Sequence, residues 1–237
     1  MSTNSFSHIV VSGLEIAIER KDIKNLHIGV YPPNGKIRVA TPLKLNDEAV
    51  RLAVISRLSW IKKQQQSFLK QPRQTKREMV SGESHYLFGK RYLLDVKYEN
   101  TKHSIIKKHS KLLISVKENT TRENRLKILE KYYREHLTIE LEKLIEKWKN
   151  IIGVNIDSWK IQKMKTKWGS CNIEDKRLLF NLELAKVPIE CIEYIVVHEI
   201  LHLLERHHND NFKALMDKYV TDWQSRKESL KLCSIDY

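Results

Sequence analysis

Residues 198–202 read His198-Glu199-Ile200-Leu201-His202, and this pentad constrains the chain more than any other stretch. Its flanks are apolar, Tyr194-Ile195-Val196-Val197 before it and Leu203-Leu204 after it. The run reads as a helix, and on a helix positions four apart share a face. Both imidazoles can therefore point at one ion. Glu199 lies beside them, where a carboxylate can hold a metal-bound water. On a solvated helix face the same residues would need no partner. Set in so apolar a run, they are costly to bury unless a metal or a hydrogen bond satisfies them. The pentad is thus expected to be a metal site, with His198 and His202 as ligands and Glu199 as general base.

A catalytic zinc site of this kind takes three protein ligands and leaves a fourth position open. Downstream, Glu205, His207, His208 and Asp210 offer donors. An unbroken helix would carry position 208 about 15 Å beyond His198, at 1.5 Å per residue. His208 can join only if the helix ends first. Asn209 or Asp210 can cap a new helix beginning near Phe212, which leaves 207 and 208 in a loop. His208 is the preferred third ligand. Glu205, one turn beyond His202 on the same face, is the alternative, and His207 reads as a surface or packing residue.

The chain has 237 residues, enough for one large domain or two small ones. Hydrophobic residues make up 41% and charged residues 30%, a globular balance rather than a disordered one. No apolar run reaches membrane-spanning length, and the start, Met1-Ser2-Thr3-Asn4-Ser5, lacks a basic-then-apolar leader. The expectation is a cytoplasmic protein without a membrane partner. The three cysteines, Cys171, Cys191 and Cys233, are too few and too scattered for a disulfide framework or a CxxC zinc knuckle. A net charge of +14 raises a nucleotide or nucleic-acid partner. The basic residues are spread along the chain, however, and no aromatic-interleaved patch stands out, which favours a generally basic surface.

Periodicity gives an α+β chain. Residues 8–11 and 14–20 are apolar runs around Gly13, and 26–31 and 36–40 alternate around Pro32-Pro33-Asn34-Gly35, a hairpin pattern. Asn46 reads as the N-cap of a helix running to about Phe68, with Val50, Val54, Leu58 and Ile61 buried. A polar connector follows from Gln71 to Arg77. Short strands are expected over 84–88, 91–98, 104–109 and 111–116. Thr120 or Thr121 caps a long helix to about Ile152, striped by Leu126, Leu129, Tyr133, Leu137, Leu141, Leu144 and Trp148. Strands over 159–164 and 177–182 precede the helix that Pro188 opens. Two more helices start near Asp210 and Trp223. No internal repeat is legible, and the domain boundary is expected near 118, dividing a β-rich 1–118 from a helix-rich 119–237.

The string Tyr194 to Leu203, with His208 and Phe212, resembles the YgjP-like family of zinc metallopeptidases, relatives of the SprT-like and minigluzincin-type zincins. So do Met164-Lys165-Thr166-Lys167-Trp168-Gly169-Ser170-Cys171-Asn172, Asn181-Leu182, Phe88-Gly89-Lys90-Arg91-Tyr92 and Asp222-Trp223. The resemblance spans about residues 15–232. It implies a zincin-like, helix-rich catalytic domain with a small sheet behind a β-rich N-terminal part. It also implies His198, His202 and His208 as ligands of Zn2+, Glu199 as base, and peptide or protein substrates. Leu201, His207 and Thr221 stand where the family usually has Cys, Asn and Pro.

Trp168, Gly169, Ser170 and Asn181 are candidate substrate-binding residues. Gly169 permits a tight bend and Ser170 can donate a hydrogen bond. The same Trp and Gly would equally serve to anchor a strand on the core, and Asn181 to cap a strand end. Cys171 has no base beside it and is not expected to be a nucleophile. Residues 177–182 are the candidate edge strand for pairing with an extended substrate. Two rival functions remain: attack on the phosphoanhydride of a nucleotide by the same metal chemistry, with Lys165, Lys167 and Trp168 receiving it, and a basic nucleic-acid module with a structural metal.

Overall fold

A computed structural model of the chain describes residues 5–31, 34–70, 77–100 and 102–233, the side chains of 67–70 excepted. Pro32-Pro33 and the expected connector, apart from Arg77, lie outside the described residues. The described residues form an α+β fold of eleven strands, six α-helices and one 3-10 helix.

The chain divides into two compact units between residues 73 and 74, not near 118 as the composition suggests. The hydrophobic core gives the reason. Strands between 84 and 116 bury Leu87, Tyr92, Leu94, Leu112, Ile114 and Val116 in one cluster with Leu137, Val196 and Val197 of the later helices. The sheet they form is a layer of the second unit.

In the first unit, β1 (Ser5–Val11), β2 (Leu14–Lys21), β3 (His27–Tyr31) and β4 (Lys36–Pro42) form a sheet of order β1-β2-β4-β3. The outer pairs are antiparallel and β2 pairs parallel with β4. Alternation puts Ile16, Ile18, Ile37 and Val39 on one face, in a cluster with Val50, Val54 and Ile61. The single helix expected from Asn46 to Phe68 is two, α1 (Asp47–Ile55) and α2 (Leu58–Lys70). Between them the Ser56 hydroxyl donates to the Ala53 carbonyl at 2.9 Å. The Arg57 amide meets Val54 three residues back at 3.0 Å. A side chain bonding its own backbone and a tightened turn together end the first helix.

The second unit begins by repeating this plan. Its strands β5 (Ser84–Leu87), β6 (Lys90–Tyr98), β7 (Ser104–Lys108) and β8 (Lys111–Val116) have the order β5-β6-β8-β7. Again the outer pairs are antiparallel and the central pair parallel. Each first hairpin turns on two residues of positive φ, Ser12-Gly13 (50° and 78°) and Phe88-Gly89 (49° and 76°). Each sheet is followed by a capped helix, at Asn46 and at Thr121. The expectation of no repeat is thus corrected at the level of topology. Residue identities hide it: Ile16 and Ile18 of the first copy stand where the second has Tyr92 and Leu94.

The helix α3 (Arg122–Ile152) starts at Thr121, whose side chain accepts from the Asn124 amide. It stops at Gly153 in the left-handed region, φ 79°. The third sheet, order β10-β11-β9, comprises β9 (Ser158–Gln162), β10 (Gly169–Asn172) and β11 (Arg177–Asn181). A 3-10 helix (Leu182–Lys186) leads into α4 (Ile189–Leu201), followed by α5 (Asp210–Tyr219) and α6 (Trp223–Leu232). Glu193 of α4 ties three helices together. It accepts from Lys147 Nζ at 2.7 Å, Trp148 Nε1 at 3.0 Å and Arg226 Nη1 at 2.7 Å.

Candidate metal centre

The pentad sits on a helix that is buried almost all round. Cys191, Ile192, Tyr194 to Val197, Ile200 and Leu201 are all in the core. The second unit's first hairpin fixes where this helix begins. Phe88 N donates to Ala185 O at 2.8 Å and Gly89 N to Lys186 O at 3.1 Å. A Cβ on Gly89 would lie 2.9 Å from Pro188 Cγ and 3.1 Å from its Cα, so the approach requires glycine.

The helix ends at Leu201, one residue before His202. Residues 202–204 turn, with Leu203 N on Ile200 O and Leu204 N on Leu201 O. The chain then reverses to α5, where the Asn209 side chain accepts from the Phe212 amide at 3.0 Å. This interruption is what the spacing demanded of a third histidine, and it brings His208 back over the helix. Its Nε2 lies 3.0 Å from His198 Nε2 and 3.1 Å from His202 Nε2.

Three imidazole nitrogens facing one another at this range fit one ion better than they fit each other. A tetrahedral ion with bonds of about 2.0–2.1 Å holds its nitrogens about 3.3 Å apart. The His202 Nδ1 lies 3.1 Å from the Glu205 carbonyl. With its proton donated there, Nε2 presents a lone pair to the centre. Burial, reinforced by His202 and His208, pushes the His198 pKa down to about 3, so this ring is neutral, as a ligand must be. His202 is shifted the same way by burial. Among the described residues, the three histidines are the one His, Cys, Asp and Glu group placed to hold a metal ion.

Phe212 underlies all three. Its ring centroid is 5.0 Å from that of His198, 4.8 Å from His202, which it stacks, and 4.8 Å from His208. The sequence placed Phe212 only at a helix start. Its role as the floor of the triad depends on a contact that spacing does not reveal. Glu205, the alternative ligand, points its carboxylate at the His207 amide, 3.1 Å away, and gives the cluster only its carbonyl. His207 is exposed and outside the cluster.

Glu199 is 5% exposed and lines the same cleft as the three histidines. Burial pushes its pKa up to about 8, and Lys167 works in the opposite direction. The carboxylate lies against β10. A Cβ on Gly169 would come 2.7 Å from Glu199 Cγ and Oε1. Gly169 and Ser170 line the cleft with Cys171 and Asn172. The other two candidate binding residues do not. Trp168 packs against the main hydrophobic cluster, the anchoring alternative. Asn181 is fully buried, accepts from the Met164 and Glu183 amides, and donates to the Met164 and Lys167 carbonyls. It shapes the cleft from behind. Burial and Glu199 raise the Cys171 pKa to about 11, which makes it a poor nucleophile.

The strand expected to receive substrate is also corrected. β11 is paired on both sides, antiparallel to β10 and parallel to β9, so its backbone groups are taken. The free edge that borders the cleft belongs to β10.

The sequence places the chain among metallopeptidases: residues 24–232 match the YgjP-like metallopeptidase domain. The chain belongs to the YgjP-like metallopeptidase family. Among solved structures it is similar to the metallopeptidase zymogen abylysin of Pyrococcus abyssi, at 19% identity and a TM-score of 0.36, over 38% of this chain and 90% of that one. It is likewise similar to the zymogen jannalysin of Methanocaldococcus jannaschii, at 19% identity and 0.35, over 38% and 92%. No curated protein matches. No helix among the described residues is long and apolar enough to cross a membrane.

Proposed function

We propose that the chain is a zinc-dependent peptidase, with His198, His202 and His208 as ligands and Glu199 as general base. The observation that carries this reading is the meeting of the three Nε2 atoms beside a buried carboxylate in one open cleft. Three imidazoles with an open fourth position are the ligand pattern of catalytic zinc, which supplies Lewis acidity and activates water near neutral pH.

The chain's own groups do the rest. Glu199, ionised beside a cation held by the three histidines, accepts a proton from the attacking water and returns it to the leaving amine. Its burial against Gly169 keeps it facing the cleft. The free edge of β10 offers backbone N–H and C=O groups to an extended peptide. The Glu205 carbonyl holds the His202 tautomer, and Phe212 limits the tilt of all three rings.

A second reading is attack on a nucleotide phosphoanhydride. It is favoured by Lys167 and Arg206, exposed cations lining the same cleft. Metal content by mass spectrometry, with peptide-library and nucleoside triphosphate assays run side by side, decides among these. About one zinc per chain is expected, with peptide turnover. Glu199→Gln keeps the metal and loses turnover by about a hundredfold to ten-thousandfold. His208→Ala loses both. Zinc retained in His208→Ala would move the third ligand to Glu205 or His207, and turnover of nucleotides alone would move the reaction to the second reading.

A further inference from the structure

Charges around the cleft are unevenly satisfied. Elsewhere on the third sheet, Lys163 after β9 pairs with Glu130 at 2.7 Å and Arg177 of β11 with Asp175 at 3.0 Å. Lys167, Glu174 and Arg206 line the cleft, are exposed, and form no ion pair among the described residues. Their positions are ordered along the wall. Lys167 precedes β10, near enough to Glu199 to act on its carboxyl. Glu174 follows β10, in a turn that Asn172 and Asp175 brace. Asp175 N donates to Asn172 Oδ1 at 3.2 Å, and Asn172 Nδ2 donates to Asp175 Oδ2 at 2.8 Å. The free edge of β10 runs between the two charges. Arg206 also lines the cleft, from the loop joining His202 to His208.

We propose that the cleft selects extended peptides of bipolar charge, with an acidic side chain at the Lys167 end and a basic one at the Glu174 end. The proposal rests on the peptidase reading and names its substrate class. Extended chains advance about 3.3 Å per residue, so a ligand laid along β10 from Lys167 to Glu174 spans about five to seven residues. Charges at the rim of a cleft act mainly on which partner binds and which way round. A peptide with both signs, in the right order, meets an opposite charge at each end. The reverse order meets like charge at both. A polyphosphate would satisfy Lys167 and Arg206 but would be repelled at Glu174, so the role of Glu174 separates a bipolar peptide from an anionic ligand.

The test uses the full chain and three fluorescein-labelled octapeptides of matched apolar centre. One carries acid at its N-terminal end and base at its C-terminal end, one carries the reverse, and one is neutral. Binding is read by anisotropy on the wild type, Lys167→Glu, Glu174→Lys and the double variant, and cleavage is followed by mass spectrometry in the same samples. One charge order is expected to bind the wild type about threefold to tenfold tighter than the other, an effect typical of exposed ion pairs. The difference shrinks in 0.5 M salt. Each single variant reverses the preference at its own end and so cancels the difference between the two charge orders, and the double variant inverts the order. Equal binding of both orders to the wild type, or a preference that survives the double reversal, overturns the proposal. Binding that follows the charges without any cleavage counts against the peptidase reading and leaves only the charge preference of the cleft.

Discussion

At the scale of single residues, the centre depends on groups that touch no ligand. Gly169 is the sharpest case. Its missing Cβ is where the Glu199 carboxylate lies, at 2.7 Å. Gly169→Ala must push either the carboxylate or β10 aside. A displacement of a few tenths of an ångström at a base is expected to cost about tenfold to a hundredfold in turnover. The histidine cluster is untouched, so metal content stays at the wild-type level. Steady-state kinetics with metal analysis checks this, and wild-type turnover in Gly169→Ala would mean that the carboxylate has room it does not use. The pentad itself was legible from spacing and its apolar flanks, because two histidines four apart on a helix share a face and can meet one ion. Gly169 was legible only as a choice between cleft and core, since nothing in Trp168-Gly169-Ser170 tells which buried carboxylate approaches it.

At the scale of elements, two polar fixtures hold the cleft walls in place. Asn181 makes four bonds from a fully buried site and straps residues 164–167 to the end of β11. Asn181→Ala leaves buried amides and carbonyls without partners, and about 3 kcal/mol of stability should be lost. A shift in the urea midpoint with unchanged slope checks it. An Asn181→Ala protein within 0.5 kcal/mol of wild type (on the order of a neutral surface change) would show that water replaces the strap. Glu193 fixes α4 against α3 and α6. Burial raises its pKa, but the bonds from Lys147, Arg226 and Trp148 outweigh that and hold it below the ordinary 4.5. The unfolded carboxyl therefore takes up a proton at a higher pH than the folded one. The stability it contributes is complete above about 4.5 and is lost as pH falls through its folded value. Glu193→Gln should cost about 2 kcal/mol at pH 7, and the gap to wild type should narrow as pH falls below 4.5. A gap that stays constant from pH 7 to pH 4 would assign its effect to packing rather than charge. Hydrophobic period located most elements, and the capping residues Asn209 and Asp210 pointed to the break after α4 that His208 needs. The break at Ser56 and the edge position of β10 escaped it, because the first follows from a hydroxyl bonding its own helix and the second from pairings distant in sequence.

At the scale of the molecule, one strand plan is used twice to different ends. In the second copy the Phe88-Gly89 turn is built into the catalytic unit, its amides bonded to Ala185 and Lys186 and its glycine against Pro188. In the first copy the corresponding Ser12-Gly13 turn is exposed, and a Cβ at Gly13 would meet nothing within 4 Å. The composition grouped both copies into a single β-rich half, since it registers strand content and not which core a strand serves. The cores divide cleanly: Val11 to Ile61 form one cluster, and Met79 to Leu230 the other, with no shared residue. Everything that positions the histidines, from the hairpin at Gly89 to Phe212, belongs to the second. A chain beginning at Arg77 is therefore expected to fold and to bind one metal ion with wild-type affinity. The intact chain should melt in two calorimetric transitions, of which metal raises only the one that the shortened chain retains, by mass action on its native state. A single transition in the intact chain, or a shortened chain that fails to bind metal, would mean that the first copy is needed for the centre it does not line.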